Sequence, residues 1–156
     1  MEKMKKYQSD MMKIGFDVDL SSSPRQVAEK CNLVITATPS TEPILCGDDI
    51  QPGTHLTAMG SDTPTKQELD PQILKMADVV VADSISQCIE RGEISHALRS
   101  GAISDETIVE LGNVLNGKEN GRISEDQITV TDLTGVAVQD IQIATAVFEA
   151  YMEIES

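Results

Sequence analysis

The chain has no tryptophan, two phenylalanines and two tyrosines among its 156 residues. So sparse an aromatic set weakens any platform on which nucleic-acid bases could stack. Basic residues are scarce as well, with 12 Lys and Arg against 26 Asp and Glu and a formal net charge of −14. An acidic protein has no positive field to hold phosphate backbones or an anionic lipid surface, so neither nucleic acid nor membrane is expected as a partner. No run of about 18 apolar residues occurs, and no membrane-spanning helix is expected. The stretch from Met1 to Tyr7 lacks the apolar segment of a secretory signal, which points to the cytoplasm. Cys31, Cys46 and Cys88 are odd in number and form no C-x-x-C pair. They read as small apolar core thiols rather than as a zinc or dithiol site. His55 and His96 have no ligand-rich motif around them, so no metal is expected. Finally, no Gly-x-Gly-x-x-Gly occurs, the turn that lets backbone approach a dinucleotide pyrophosphate.

What is present suffices for one ordinary domain. Apolar residues make up 40% and charged residues 24%, the balance of a chain that folds around a core. Met4, Tyr7, Met11 and Ile14 recur at helical spacing, predicting a helix over 1–14. Phe16 to Leu20 alternates apolar and acidic residues like a short strand. Ser23-Pro24-Arg25-Gln26 reads as a helix start, with Ser23 as cap and Gln26 closing a capping box. Leu33 to Ser40 has no charge and several β-branched residues, the pattern of a strand buried on both faces of a parallel sheet. Similar runs follow at His55–Gly60, Asp78–Asp83 and Gln127–Leu133. Helices are predicted after Asp70-Pro71, after Ser84, over Glu93–Leu98, from Ser104 through Leu115, and from Val136 to the end. Strands alternating with helices imply an α/β fold with a mainly parallel sheet, taken here as 15–135, with a C-terminal helix over 136–156.

Ligands of such sheets sit beyond the carboxyl ends of the strands. Thr36, Thr38 and Pro39 follow the first buried strand, where small hydroxyl side chains suit a flat ligand or, equally, a turn. After the second come Met59, Gly60 and Asp62. Gly60 permits close backbone approach. Asp62 suits a general acid or base, a grip on a substrate amine, or a solvated Asx turn. Lys66 and Glu68 read as surface charges or local ion pairs. After the last strand, Leu133, Thr134 and Gly135 open a helix, where Thr134 suits either a carboxamide ligand or a plain N-cap.

In order, the chain contains Ile35-Thr36-Ala37-Thr38-Pro39-Ser40-Thr41-Glu42-Pro43, Thr57-Ala58-Met59-Gly60-Ser61-Asp62, Lys66-Gln67-Glu68-Leu69-Asp70, Ala77–Asp83, Gly92–Leu98, Glu110–Gly117 and Asp132-Leu133-Thr134-Gly135. This ordered set, over residues 17 to 152, resembles the ornithine cyclodeaminase/mu-crystallin family. The Met59–Asp62 and Asp132–Gly135 forms look most like its ectoine-utilisation branch. The resemblance implies a Rossmann domain that binds NAD or NADP, and hydride transfer on small amino or imino acids. It gives Asp62 the acid/base role. It sets Thr36, Thr38 and Pro39 against the cofactor, and Met59, Gly60, Leu133, Thr134 and Gly135 near the nicotinamide.

Against that family, the chain lacks the first βα unit with its glycine-rich turn and the N-terminal substrate and dimerisation domain. In the strand order 3-2-1-4-5-6, Phe16–Leu20 would be strand 3 and Leu33–Pro39 strand 4, leaving a gap or an open edge between them. The expectation is a single partial Rossmann-like domain over 1–156, with little or no activity by itself. The alternative is a non-catalytic remnant that binds a small ligand, or that self-associates through the strand edge or the N-terminal helix as a homo-oligomer.

Overall fold

The computed structural model describes residues 2–154; Met1, Glu155 and Ser156, the outer ends of the predicted first and last helices, lie outside the described residues. In chain order the elements are α1 (Glu2–Lys13), α2 (Pro24–Lys30), β1 (Leu33–Thr36), β2 (Thr41–Leu45), β3 (His55–Ala58), β4 (Gln67–Leu69), α3 (Pro71–Met76), β5 (Val79–Ala82), α4 (Ile85–Cys88), α5 (Glu93–Arg99), β6 (Ile108–Glu110), α6 (Leu111–Leu115), β7 (Thr129–Asp132) and α7 (Ala137–Ile154).

Five strands form one sheet in the order β1-β3-β7-β5-β6, and every neighbouring pair is parallel. The last strand in sequence therefore sits at the centre. Its register is level: Thr36 pairs with Ala58, Ala58 with Asp132, and Asp132 with Ala82. Four strands thus end in one row. β2 and β4 make a separate parallel pair.

The residues explain most of the local structure. Pro24 and Pro71 open their helices at positions where no backbone N–H is needed. Asp70 caps α3, its side chain accepting from the Gln72 N–H at 2.8 Å. The core lies on one side of the sheet, where Leu56, Ala58, Val130 and Ala82 are at most 1% exposed and pack with Leu69, Ile73 and Ile94.

Several expectations need correction. Phe16–Leu20 is not a strand. A strand needs a ladder partner, and this segment is tethered instead by the Gln8 Nε2 donation to the Val18 carbonyl. The sheet has no internal gap; it ends at β1 as an open edge. β1 is buried on one face only: Val34 and Thr36 point inward, while Leu33 and Ile35 are 58% and 60% exposed. The predicted helix from Ser104 through Leu115 is a 3-10 turn (Asp105–Thr107), then β6, then the short α6. The spacing of Ile108, Leu111 and Leu115 fits a helix, but Ile108 and Val109 pair with Val80 and Val81. Tertiary pairing overrides local periodicity there. Ser23 makes no capping bond; Gln26 accepts from Ser21 instead. Cys31 and Cys46 are exposed, and only Cys88 is a core thiol. β2 and β4 were not predicted, because Pro43 and Glu68 interrupt any strand pattern.

The two faces of the sheet should respond differently to truncation. Leu56→Ala should lower unfolding free energy by about 3 kcal/mol in urea titration, because it leaves a cavity in the central layer. Ile35→Ser on the open face should shift it by roughly 0.5 kcal/mol or less.

Candidate functional site

The level register brings three predicted segments to one rim. Thr36 ends β1 and Thr38 and Pro39 follow it, Met59, Gly60 and Asp62 follow β3, and Leu133, Thr134 and Gly135 follow β7, and these strands are neighbours. Thr36 and Thr134 are buried, Leu133 and Thr38 half-buried, and Pro39, Met59 and Gly135 exposed. All nine predicted residues therefore share one end of the sheet.

Beneath the rim lies a carboxylate that sequence reasoning missed. Glu68, expected at the surface, is fully buried. Its Oε2 accepts from the Thr36 hydroxyl at 2.8 Å and the Gly60 N–H at 2.8 Å, and its Oε1 accepts from the Thr38 N–H at 2.5 Å. It thereby fastens the β1 and β3 loops to each other. A Cβ on Gly60 would lie 2.5 Å from Glu68 Oε1, so only glycine lets this backbone close on the carboxylate.

Glu68 is itself held. Buried Glu93, the first residue of α5, accepts from the Glu68 N–H at 2.8 Å and the Leu69 N–H at 3.0 Å. Asp132 at the end of β7 accepts from the Ile94 N–H at 2.8 Å. Its Oδ1 is buried with no partner among the described residues. Burial, chiefly, pushes the Glu93 carboxyl up to about 7 and Asp132 up to about 8. The neighbouring carboxylates add to both shifts. Gly92, with φ of +86°, passes so close that a Cβ there would meet Asp132 Oδ2 at 2.5 Å.

The β7 loop has its own anchor, also unforeseen. Asp83 Oδ1 accepts from Thr134 Oγ1 at 3.1 Å and from the Ser84 N–H at 2.8 Å, and Oδ2 accepts from the Gly135 N–H at 2.8 Å. Gln87 Nε2 donates to Thr134 Oγ1 and the Gly135 carbonyl. Cys88 lies against the same Asp83, and burial pushes its thiol up to about 12. It is inert as a nucleophile near neutral pH.

Asp62 differs from these buried acids. It is exposed, and Lys66 Nζ lies 2.6 Å from its Oδ1. The hydrogen bond from Lys66 holds the carboxyl below its ordinary value, so it is ionised at neutral pH. The expected local ion pair of Lys66 is therefore present, but with Asp62. His96 Nε2 hydrogen-bonds the Lys66 carbonyl at 2.9 Å, steadying the loop that carries the pair. No cluster of three metal-ligating side chains occurs among the described residues.

Two titrations check these electrostatics. Glu93 and Asp132 have folded-state values above their unfolded ones, so the stability they carry is full below about pH 4 and is lost as pH rises through about 7 and 8. Asp132→Asn should flatten that fall, by at most about 1.4 kcal/mol per pH unit, in urea midpoints measured from pH 5 to 9. Lys66→Met should let the Asp62 carboxyl rise toward about 3.9 in a carbon-detected NMR titration; an unmoved value would remove Lys66 as the cause.

The comparisons bear on the whole rim. The model of the ornithine cyclodeaminase/mu-crystallin family matches residues 1–155. An uncharacterised cyclodeaminase of Sinorhizobium fredii is 45% identical over 136 residues, which are 86% of this chain and 41% of that protein. Alanine dehydrogenase of Archaeoglobus fulgidus is 40% identical over 133 residues, 85% of this chain and 41% of that protein. Among solved structures, an archaeal alanine dehydrogenase dimer with bound NAD superposes with a TM-score of 0.89 at 35% identity, covering 97% of this chain and 47% of that one. This chain thus spans less than half the length of the relatives it matches. By sequence and by fold alike, the chain belongs to the ornithine cyclodeaminase/mu-crystallin family.

Proposed function

We propose that this chain is the part of an NAD(P)-binding Rossmann domain that holds the nicotinamide end of the cofactor, in an enzyme acting on small amino or imino acids by hydride transfer. The observation that carries it is the level row of β1, β3 and β7, which stands three small-residue loops side by side. Open parallel sheets collect ligands at such carboxyl ends.

The residues fit a flat, amide-bearing ring. Gly60 offers bare backbone over Glu68, and Met59 and Pro39 offer exposed apolar surface. Thr38, Pro39, Met59, Gly60, Leu133, Thr134 and Gly135 would hold the ring. Thr36 supports it from beneath, its hydroxyl already given to Glu68. When bound, the cofactor takes up or gives a hydride. Asp62 serves as the acid/base, accepting a proton from a substrate ammonium at its carboxylate. Lys66 pairs with that carboxylate until the substrate's own positive group replaces it.

In this proposal the 156 residues form one partial domain that works in the cytoplasm. The chain contains no glycine-rich turn for the pyrophosphate, so its own activity is low or nil. Exposed apolar surface favours a second role, as a non-catalytic remnant that binds a small ligand or self-associates through the β1 edge or α1. Leu33 and Ile35 stand open on β1, and α1 buries no residue.

Amide NMR spectra with millimolar nicotinamide mononucleotide test the site. Shifts should gather at Thr38, Met59, Gly60 and Leu133–Gly135; shifts confined to another surface, or none, would overturn it. Calorimetry with NADH and NADPH should give no micromolar binding, and micromolar affinity would refute the incomplete pocket.

A further inference from the structure

Arg91 is a cation that the rim leaves unused. It follows α4, where its backbone N–H donates to the Gln87 carbonyl at 3.0 Å, and it directly precedes Gly92. A Cβ on Gly92 would lie 2.7 Å from Thr134 Cγ2, so this corner of the chain lies against the β7 loop. It also adjoins the β3 loop. The Ser61 hydroxyl, next to Asp62 in the chain, lies beside the Glu93 carboxyl, two residues past Arg91, and His96 of the same helix bonds the Lys66 carbonyl. Arg91 is half-buried, and its Nε is buried with no hydrogen-bond partner among the described residues. It makes no salt bridge among them either, not even with exposed Glu90 beside it. A buried donor of this kind is normally completed by water or by a ligand.

The charges around Asp62 are unequal. Lys66 pairs with it at 2.6 Å, and Arg91, beyond pairing distance, adds to the pull that holds the carboxyl below its ordinary value. The acids nearby are already occupied. Glu68 takes three donors, Glu93 takes two N–H groups, and Asp83 takes the Ser84 and Gly135 N–H groups with the Thr134 hydroxyl. Asp132 holds the Ile94 N–H, and burial pushes its carboxyl up to about 8. Two cations thus face one exposed carboxylate beside the rim.

A substrate ammonium that displaces Lys66 from Asp62 leaves Lys66 and Arg91 both without a partner. The carboxylate on the same carbon as that ammonium can answer Lys66. Arg91 then needs a second acid group, and a planar guanidinium grips a carboxylate through two parallel N–H groups. We infer that Arg91 is a specificity-determining residue that binds the side-chain carboxylate of the substrate, so that the site takes an amino or imino dicarboxylic acid. The inference rests on the acid/base and nicotinamide positions proposed above and names the substrate class of that same site. A ligand with one positive and two negative groups matches two cations and one anion. An amino acid with an apolar side chain leaves the Arg91 guanidinium unanswered.

NMR of the full chain with millimolar nicotinamide mononucleotide tests this, following the Arg91 Nε–H signal and the backbone of the rim as L-aspartate, L-alanine or succinate is added. L-Aspartate should move the Arg91 signal and bind roughly tenfold more tightly than L-alanine, the gain expected of one charge-assisted pair. Succinate, which has no amine for Asp62, should bind more weakly than L-aspartate. Arg91→Leu should erase the preference for L-aspartate and leave L-alanine binding unchanged. Arg91→Gln should do the same, which guards against a loss of fold in the leucine variant. Equal affinity for the two amino acids, an unmoved Arg91 signal, succinate binding as tight as L-aspartate, or a preference that survives both substitutions would each overturn the inference. Mononucleotide shifts at Thr38, Met59 and Gly60 without the preference would sink this inference alone; their absence would sink the cofactor site as well.

Discussion

The Glu68 carboxylate receives three hydrogen bonds from the ends of two strands, the Thr36 hydroxyl and the Thr38 and Gly60 N–H groups. A carboxyl group with no solvent access is costly to bury unless it is hydrogen-bonded. Glu68 meets that demand with donors that belong to the loops of the rim. Its backbone is held by Glu93, and the helix that begins with Glu93 is held by Asp132. The conformations of the β1 and β3 loops thus trace back through three buried acids to the central strand. No lysine or arginine neutralises this chain of acids in any hydrogen bond or ion pair observed there. Burial accordingly raises Glu93 and Asp132, and backbone N–H groups do the work that cations do elsewhere.

The outer surface follows a different balance. A net charge of −14 favours solubility, yet the exposed apolar surface is extensive. The largest share of it lies on α7, with Leu33 and Ile35 on the open face of β1, Tyr7 and Met12 on α1, and single residues such as Leu115 and Ile123 elsewhere. An unpaired edge strand with exposed Leu33 and Ile35 is the kind of surface that proteins usually cover.

Much of the fold was legible in the order of residues. Short runs rich in apolar and β-branched residues marked β1, β3, β5 and β7, and Asp70-Pro71 marked the start of α3, where Asp70 is the cap. The strand ends also pointed to the rim, because a parallel sheet has only one carboxyl edge. β4 and β6 were hidden. Glu68 made β4 look like surface, and the spacing of Ile108 and Leu111 mimicked a helix. Phe16–Leu20 failed in the other direction, a good alternating pattern with no strand beside it to pair with.

The sequence by itself determined the α/β class, the acidic character and the family, because these rest on composition and on the order of short motifs. Only the tertiary structure decided that β7 enters the middle of the sheet, that Glu68 is buried rather than solvated, and that Asp83 grips Thr134 across 51 positions. Each of these depends on a partner distant in sequence. A side chain's burial and ionisation are set by what packs against it, and local pattern carries no record of that neighbour.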